Sequence, residues 1–226
     1  MKKLIVACLF ILPISMTWMG CNQKDEKFIS EGSIEYTASV VDVNNPLASM
    51  APSKMLIKFK NNKTCVEINA GMGLFNTSYI SNPETKTLVQ VVKLLNKKFW
   101  TMENENELKK EIADYKIKIT PTEETKVIAG YKCKKAKVSY LDEDSTSTFD
   151  IYYTKDINIQ NFNFANPFAP IDGVLLQYQV KRFGIEMKFV ATKITKEPVD
   201  DATFQVPDDY KKISMKEMNA LFGSLE

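Results

Sequence analysis

The sequence predicts a mainly β fold, α+β in composition, built as one largely antiparallel domain with two amphipathic helices. Three observations predict it. Short segments alternate apolar and polar residues with a period of two along most of the chain. Clusters of Asn, Asp, Pro and Gly punctuate those segments as turns. Only two stretches repeat apolar residues at helical spacing.

The first strand is expected over 33–43, where Ile34, Tyr36 and Ala38 share one face before Asn44-Asn45-Pro46 turns the chain. Residues 54–60 (KMLIKFK) set Met55, Ile57 and Phe59 against a mostly lysine face, the pattern of a strand with one wet side. After Asn61-Asn62 a third strand covers 64–69, with Val66 and Ile68 alternating with Cys65 and Glu67. Residues 78–81 and 87–94 flank Asn82-Pro83-Glu84-Thr85 as a hairpin, and 97–102 (KKFWTM) follow the turn at Asn96.

The period then changes. Leu108, Ile112 and Tyr115 recur at helical spacing among Glu and Lys, which predicts an amphipathic helix over 103–115 lying on the sheet. Strands resume at 126–128 and 131–140 through Ala129-Gly130, and at 148–153 after the polar turn 141–146. Residues 158–170 (NIQNFNFANPFAP) have no period, and two long strands follow at 173–182 and 185–195, joined by Phe183-Gly184. Ser214 and Glu217 form a capping box for a last helix, with Met215, Met218, Leu221 and Phe222 on its apolar side and Gly223 past its end. No repeat or linker divides residues 32–226, so they are expected to form one domain.

The N-terminus has a different character. Lys2 and Lys3 precede an apolar run from Leu4 to Met16, too short for a comfortable membrane span, and small or apolar residues lead into Gly20-Cys21. This layout resembles a secretory signal ending in a bacterial lipobox, with Trp18 and Met19 departing from the usual residues before the cysteine. The resemblance implies that 1–20 are a signal peptide, that Cys21 carries the lipid anchor, and that 21–31 are a tether. An uncleaved apolar helix is the alternative. Gln23-Lys24-Asp25-Glu26 is similar to the export signal of lipoproteins moved to the cell surface by Bacteroidota. The implied location is the outer membrane, facing the cell surface, with the periplasmic face as the alternative. Two or more acyl chains suffice for stable attachment.

Composition excludes several chemistries. There is no histidine, which removes Ser-His-Asp and Cys-His catalysis and His-ligated metals. Without Lys2 and Lys3 the charges of the chain balance, so nothing suggests nucleic-acid binding. The adjacent pairs Asp25-Glu26, Glu123-Glu124 and Asp208-Asp209 cannot converge as glycosidase carboxylates must. Asp142, Glu143 and Asp144 lack the glycine and terminal glutamate of a calcium loop. No metal, cofactor or catalytic residue is expected. Cys65 and Cys133 form a candidate disulfide, worth roughly 4 kcal/mol on the chain-entropy account; otherwise each is a small buried hydrophobe. Phe162, Phe164 and Phe168, with Met72, Leu74 and Phe75, either line the mouth of an apolar pocket or plug one end of the sheet as core.

Residues 124–136 (ETKVIAGYKCKKA) resemble a stretch of Bacteroidota lipoproteins and secreted proteins of uncharacterised function, including relatives of the GLPGLI family. Tyr152-Tyr153-Thr154-Lys155, Asp172 to Gln177 (DGVLLQ) and Phe204 to Tyr210 (FQVPDDY) extend the likeness in order. Where the naming motif of that family would fall, this chain has Pro170-Ile171-Asp172-Gly173. The resemblance implies the outer-membrane lipoprotein carrier (LolA-like) fold, a curved, unclosed antiparallel half-barrel whose concave face is covered by helices. It also implies a non-catalytic binding module for a lipid or other apolar ligand. The rival expectation is a structural or interaction lipoprotein of the envelope with a filled core.

Overall fold

A computed structural model describes residues 29–141, 147–182 and 184–223. The expected signal peptide, the expected anchor at Cys21 and most of the expected tether lie outside the described residues, as do Asp142, Glu143 and Asp144.

Twelve strands and two α-helices occur among the described residues. The first half is β1 (Glu31–Val40), β2 (Lys54–Lys60), β3 (Lys63–Ala70), β4 (Phe75–Asn82), β5 (Thr87–Leu94), β6 (Lys97–Glu103) and α1 (Glu105–Asp114). The second half is β7 (Ile117–Ile128), β8 (Tyr131–Tyr140), β9 (Thr148–Thr154), β10 (Val174–Arg182), β11 (Ile185–Thr195), β12 (Lys211–Lys212) and α2 (Met215–Gly223). All strands join one sheet in the order β12-β6-β5-β4-β3-β2-β1-β11-β10-β9-β8-β7. The sheet is curved and does not close into a barrel, since β12 and β7 remain its edges.

The order describes two meanders, β1 to β6 and β7 to β11, joined where β1 pairs antiparallel with β11. That seam carries a bulge: Glu35 faces Lys193 and Tyr36 faces Ala191, leaving Thr192 unpaired, and the Thr192 Oγ1 hydroxyl donates to the Glu35 carbonyl at 3.1 Å. Gly32 sits beside it because space requires it: a Cβ there would lie 2.1 Å from the Thr195 carbonyl oxygen. The Tyr36 hydroxyl donates to the buried Leu175 carbonyl at 2.7 Å, tying the first meander to the second.

The strand alternation holds as the sequence predicts. Ile34, Tyr36, Met55, Ile57, Phe59, Met187, Phe189 and Ala191 form one buried cluster. Ala136, Val138, Phe149, Ile151 and Leu175 form another, with Phe168 and Ile171 laid over them. On the opposite, convex face the chain after β11 folds back, so that Phe204, Val206 and Tyr210 cover Cys65, Ile80, Val91 and Trp100. Lys212 lies over the Trp100 ring at 4.9 Å and Lys98 pairs with Asp209, fixing this segment along β6.

Four elements depart from the expectation. β1 ends at Val40 rather than 43, because residues 41–43 already belong to the connection to β2. β4 begins at Phe75 rather than 78, because Phe75, Asn76 and Thr77 stay in register with Leu94, Lys93 and Val92. β7 runs from Ile117, far ahead of 126, and includes Pro121; it is the edge of the sheet, where a missing N–H costs no ladder bond. β12 is a two-residue parallel pairing with Phe99 and Trp100 that alternation cannot signal.

Candidate functional site

The two ends of the sheet differ. The β1–β2, β3–β4, β5–β6 and β10–β11 connections all lie at one end, because successive antiparallel strands return their turns to the same side. At the other end β9 leads into the long segment 155–173 before β10 begins.

α1 spans the concave face between those ends. Asn104 starts it with a capping box: its side chain accepts from the backbone N–H groups of Asn106 at 2.9 Å and Glu107 at 3.3 Å, and Glu107 accepts from the Asn104 N–H at 2.9 Å. Leu108 is its one buried residue, with Ile112 and Tyr115 half-buried below the same face. At its far end the Tyr115 hydroxyl donates to the Lys181 carbonyl at 3.4 Å.

Between this helix, the segment 162–168 and the concave strands lies a cavity of about 600 Å³. Strands β2 to β5, β10 and β11 supply its floor. Val66 and Ile68, on a strand in the middle of the sheet, face into it and stay only half-buried, as residues beside an unfilled space do. The lining is apolar and aromatic, with a strip of hydroxyls at Thr64, Thr77, Tyr79 and Ser81. These polar groups are already engaged: Thr64 and Ser81 share a hydrogen bond, Thr77 Oγ1 donates to the Val91 carbonyl at 3.3 Å, and Gln90 Nε2 donates to the Tyr79 hydroxyl at 3.3 Å. Among the described residues Glu111 is the one charged side chain of the lining. A site of this size and character suits an apolar molecule rather than an ion.

The six aromatic and apolar residues expected to act together are divided. Leu74 and Phe75 line the cavity at the turn end, Phe162 lines it from the segment 155–173, and Phe168 lines it over β9 and β10. Phe168 is buried edge-on against Phe149 and Tyr178, with ring centroids 6.4 and 6.0 Å apart, so it serves as both plug and wall. Phe164 faces an outer cleft of about 640 Å³ between α1, the β4–β5 turn and residues 161–173, not the trough. In that cleft Lys86 and Lys109 both pair with Glu105 at 2.9 and 2.8 Å. The side chain of Met72 lies outside the described residues. Tyr178 and Phe189, stacked 5.2 Å apart on β10 and β11, belong to the lining and were not singled out from the sequence. Their strands were legible; which face turned toward a space was not. α2 packs on β6, and none of its described residues lines the cavity.

The disulfide is not formed. Cys65 and Cys133 are free and buried, on β3 and β8, with β2, β1, β11, β10 and β9 between them. Strand spacing of roughly 4.8 Å puts them well beyond the reach of a bridge. Of the two readings, the buried small hydrophobe is the one the structure takes.

No group of three or more metal-ligating side chains occurs among the described residues. No helix among them is long and apolar enough to cross a membrane. No known family model matches the chain, and no curated protein is significantly similar to it.

Proposed function

We propose that this chain is an outer-membrane lipoprotein, attached through Cys21 and facing the cell surface, whose trough binds a lipid or similar apolar ligand without catalysis. The observation that carries the reading is the cavity of about 600 Å³ whose lining, among the described residues, holds one charged side chain, Glu111. Its volume falls within the range of small-molecule sites, and transfer of hydrocarbon into it removes apolar surface from water at roughly 25 cal/mol per Å². The half-barrel supports the resemblance to lipoprotein carriers at the level of architecture, and the signal-like N-terminus supports the anchor.

Mass spectrometry of the full chain extracted from membranes tests both parts. Under native conditions a non-covalent, lipid-sized adduct is expected on the wild type and is lost from Ile68→Trp, whose ring fills the trough. Under denaturing conditions the chain is expected to begin at Cys21 with added acyl mass. A bare native mass would favour the rival reading, an envelope interaction protein without a small ligand. A chain still carrying residues 1–20 would remove the anchor.

A further inference from the structure

The turn end of the trough gathers the exposed apolar side chains. Eight large hydrophobic residues are exposed among the described residues, and six of them, Val41, Val43, Met50, Leu74, Leu95 and Leu141, lie in or beside turns at this end. Met50, Leu74 and Leu95 also line the cavity, though they are 49%, 55% and 61% exposed. A residue that is both wall and surface marks a mouth. At the opposite end the lining residues Ser81 and Leu88 are buried, so the trough opens at the turn end.

Charge accompanies the apolar rim. The β5–β6 hairpin reads Lys93-Leu94-Leu95-Asn96-Lys97, with both lysines exposed and no acid in the turn. The backbone N–H of Leu95 donates to the Leu74 carbonyl at 3.0 Å, which holds the two leucines side by side. Lys54 and Lys116 are exposed at the same end; its described acids are Asp42, Asp114, Glu186, Asp208 and Asp209, none of them on this hairpin, and Asp209 pairs with Lys98.

We propose that this rim docks on a lipid bilayer bearing anionic headgroups. Leu74 and Leu95 enter the interface, and Lys93 and Lys97 keep their ammonium groups among the headgroups above them. The proposal rests on the apolar-ligand reading: a mouth pressed into a bilayer lets a hydrocarbon chain pass into the trough without crossing water. A bilayer fits better than a folded partner because the apolar tips come from separate turns with an opening between them. A fluid surface follows such an uneven rim, and the lysines complement anionic lipid.

The test uses the full chain with a reporter at each end: Leu95→Trp at the rim and Thr85→Trp in the exposed β4–β5 turn at the opposite end. Vesicles contain phosphatidylglycerol and phosphatidylcholine with brominated acyl chains, which quench only tryptophans that reach the hydrocarbon. Quenching is expected for Leu95→Trp and not for Thr85→Trp, and Leu74→Trp should behave as Leu95→Trp does. Replacing both lysines, Lys93→Gln with Lys97→Gln, should weaken rim quenching by anionic vesicles roughly thirtyfold and leave that by pure phosphatidylcholine unchanged. Equal quenching at both ends, as the N-terminal anchor alone would give, overturns the proposal. So does absence of quenching at the rim, which would leave a protein as its occupant. Rim quenching without a native-mass adduct would sink ligand binding alone; an adduct without rim quenching would sink docking alone.

Discussion

Cys65 and Cys133 owe their state to burial rather than to each other. Removal from water disfavours the thiolate, pushing the Cys65 thiol up to about 12 and the Cys133 thiol up to about 11 from an ordinary value near 9. Both therefore stay protonated and unreactive at neutral pH. The same shift sets an alkaline limit. Below pH 9 the folded and unfolded chains both hold these protons; above it the unfolded chain releases them while the folded chain keeps them, so stability falls as pH rises from 9 toward 12. Buried Tyr36 and half-buried Tyr178, both raised mainly by desolvation, add the same sign at higher pH. Urea midpoints measured from pH 7 to 10.5 should decline beyond pH 9, and Cys65→Ala with Cys133→Ala should flatten the first part of that decline. A midpoint constant to pH 10.5 would contradict this account. Thiol reagent at pH 8 should leave both residues unlabelled until the chain unfolds.

α1 is held by little, and that makes it the element most open to a local test. Its capping box and the single buried Leu108 fix it over the trough. Leu108→Ala should cost about 2–4 kcal/mol, read from chemical denaturation, whereas Asn104→Ala should cost about 1 kcal/mol. Amide exchange should show α1 opening before the meanders do, and more so in Leu108→Ala; protection equal to that of β3 would refute a loosely held cover. The helix was legible because Leu108, Ile112 and Tyr115 keep a helical period against a background of period two. Most of β7 was not. Ile117 and Ile119 give it one short apolar side, but Thr120 to Lys126 (TPTEETK) are polar on both faces, as an exposed edge allows, and Pro121 argues against a strand wherever both neighbours must be paired. The site was legible in the same uneven way. Phe75 and Phe168 stood out as apolar residues near loops, and they do line the cavity. Val66, Ile68, Tyr178 and Phe189 looked like ordinary core, because alternation tells which residues leave the water and not whether the space they face is full.

The molecule as a whole depends on the seam between its two meanders. Every other antiparallel pairing joins strands adjacent in sequence, whereas β1 meets β11 only after both meanders exist. Closing so long a loop is entropically expensive, so the seam should form late in folding. Tyr36→Phe, which removes the hydrogen bond to the Leu175 carbonyl, should cost about 1 kcal/mol, and in stopped-flow denaturant series the loss should fall on the unfolding rate. A folding rate slowed by the full amount would place the seam in the nucleus instead. A complete barrel has its girth set by strand number and stagger, and can widen only by tearing a row of bonds. With β7 and β12 never meeting, this sheet answers to no such constraint. Spreading its two arms or drawing them together breaks no ladder, so under the proposed function the same wall would accept a slim guest and a stout one.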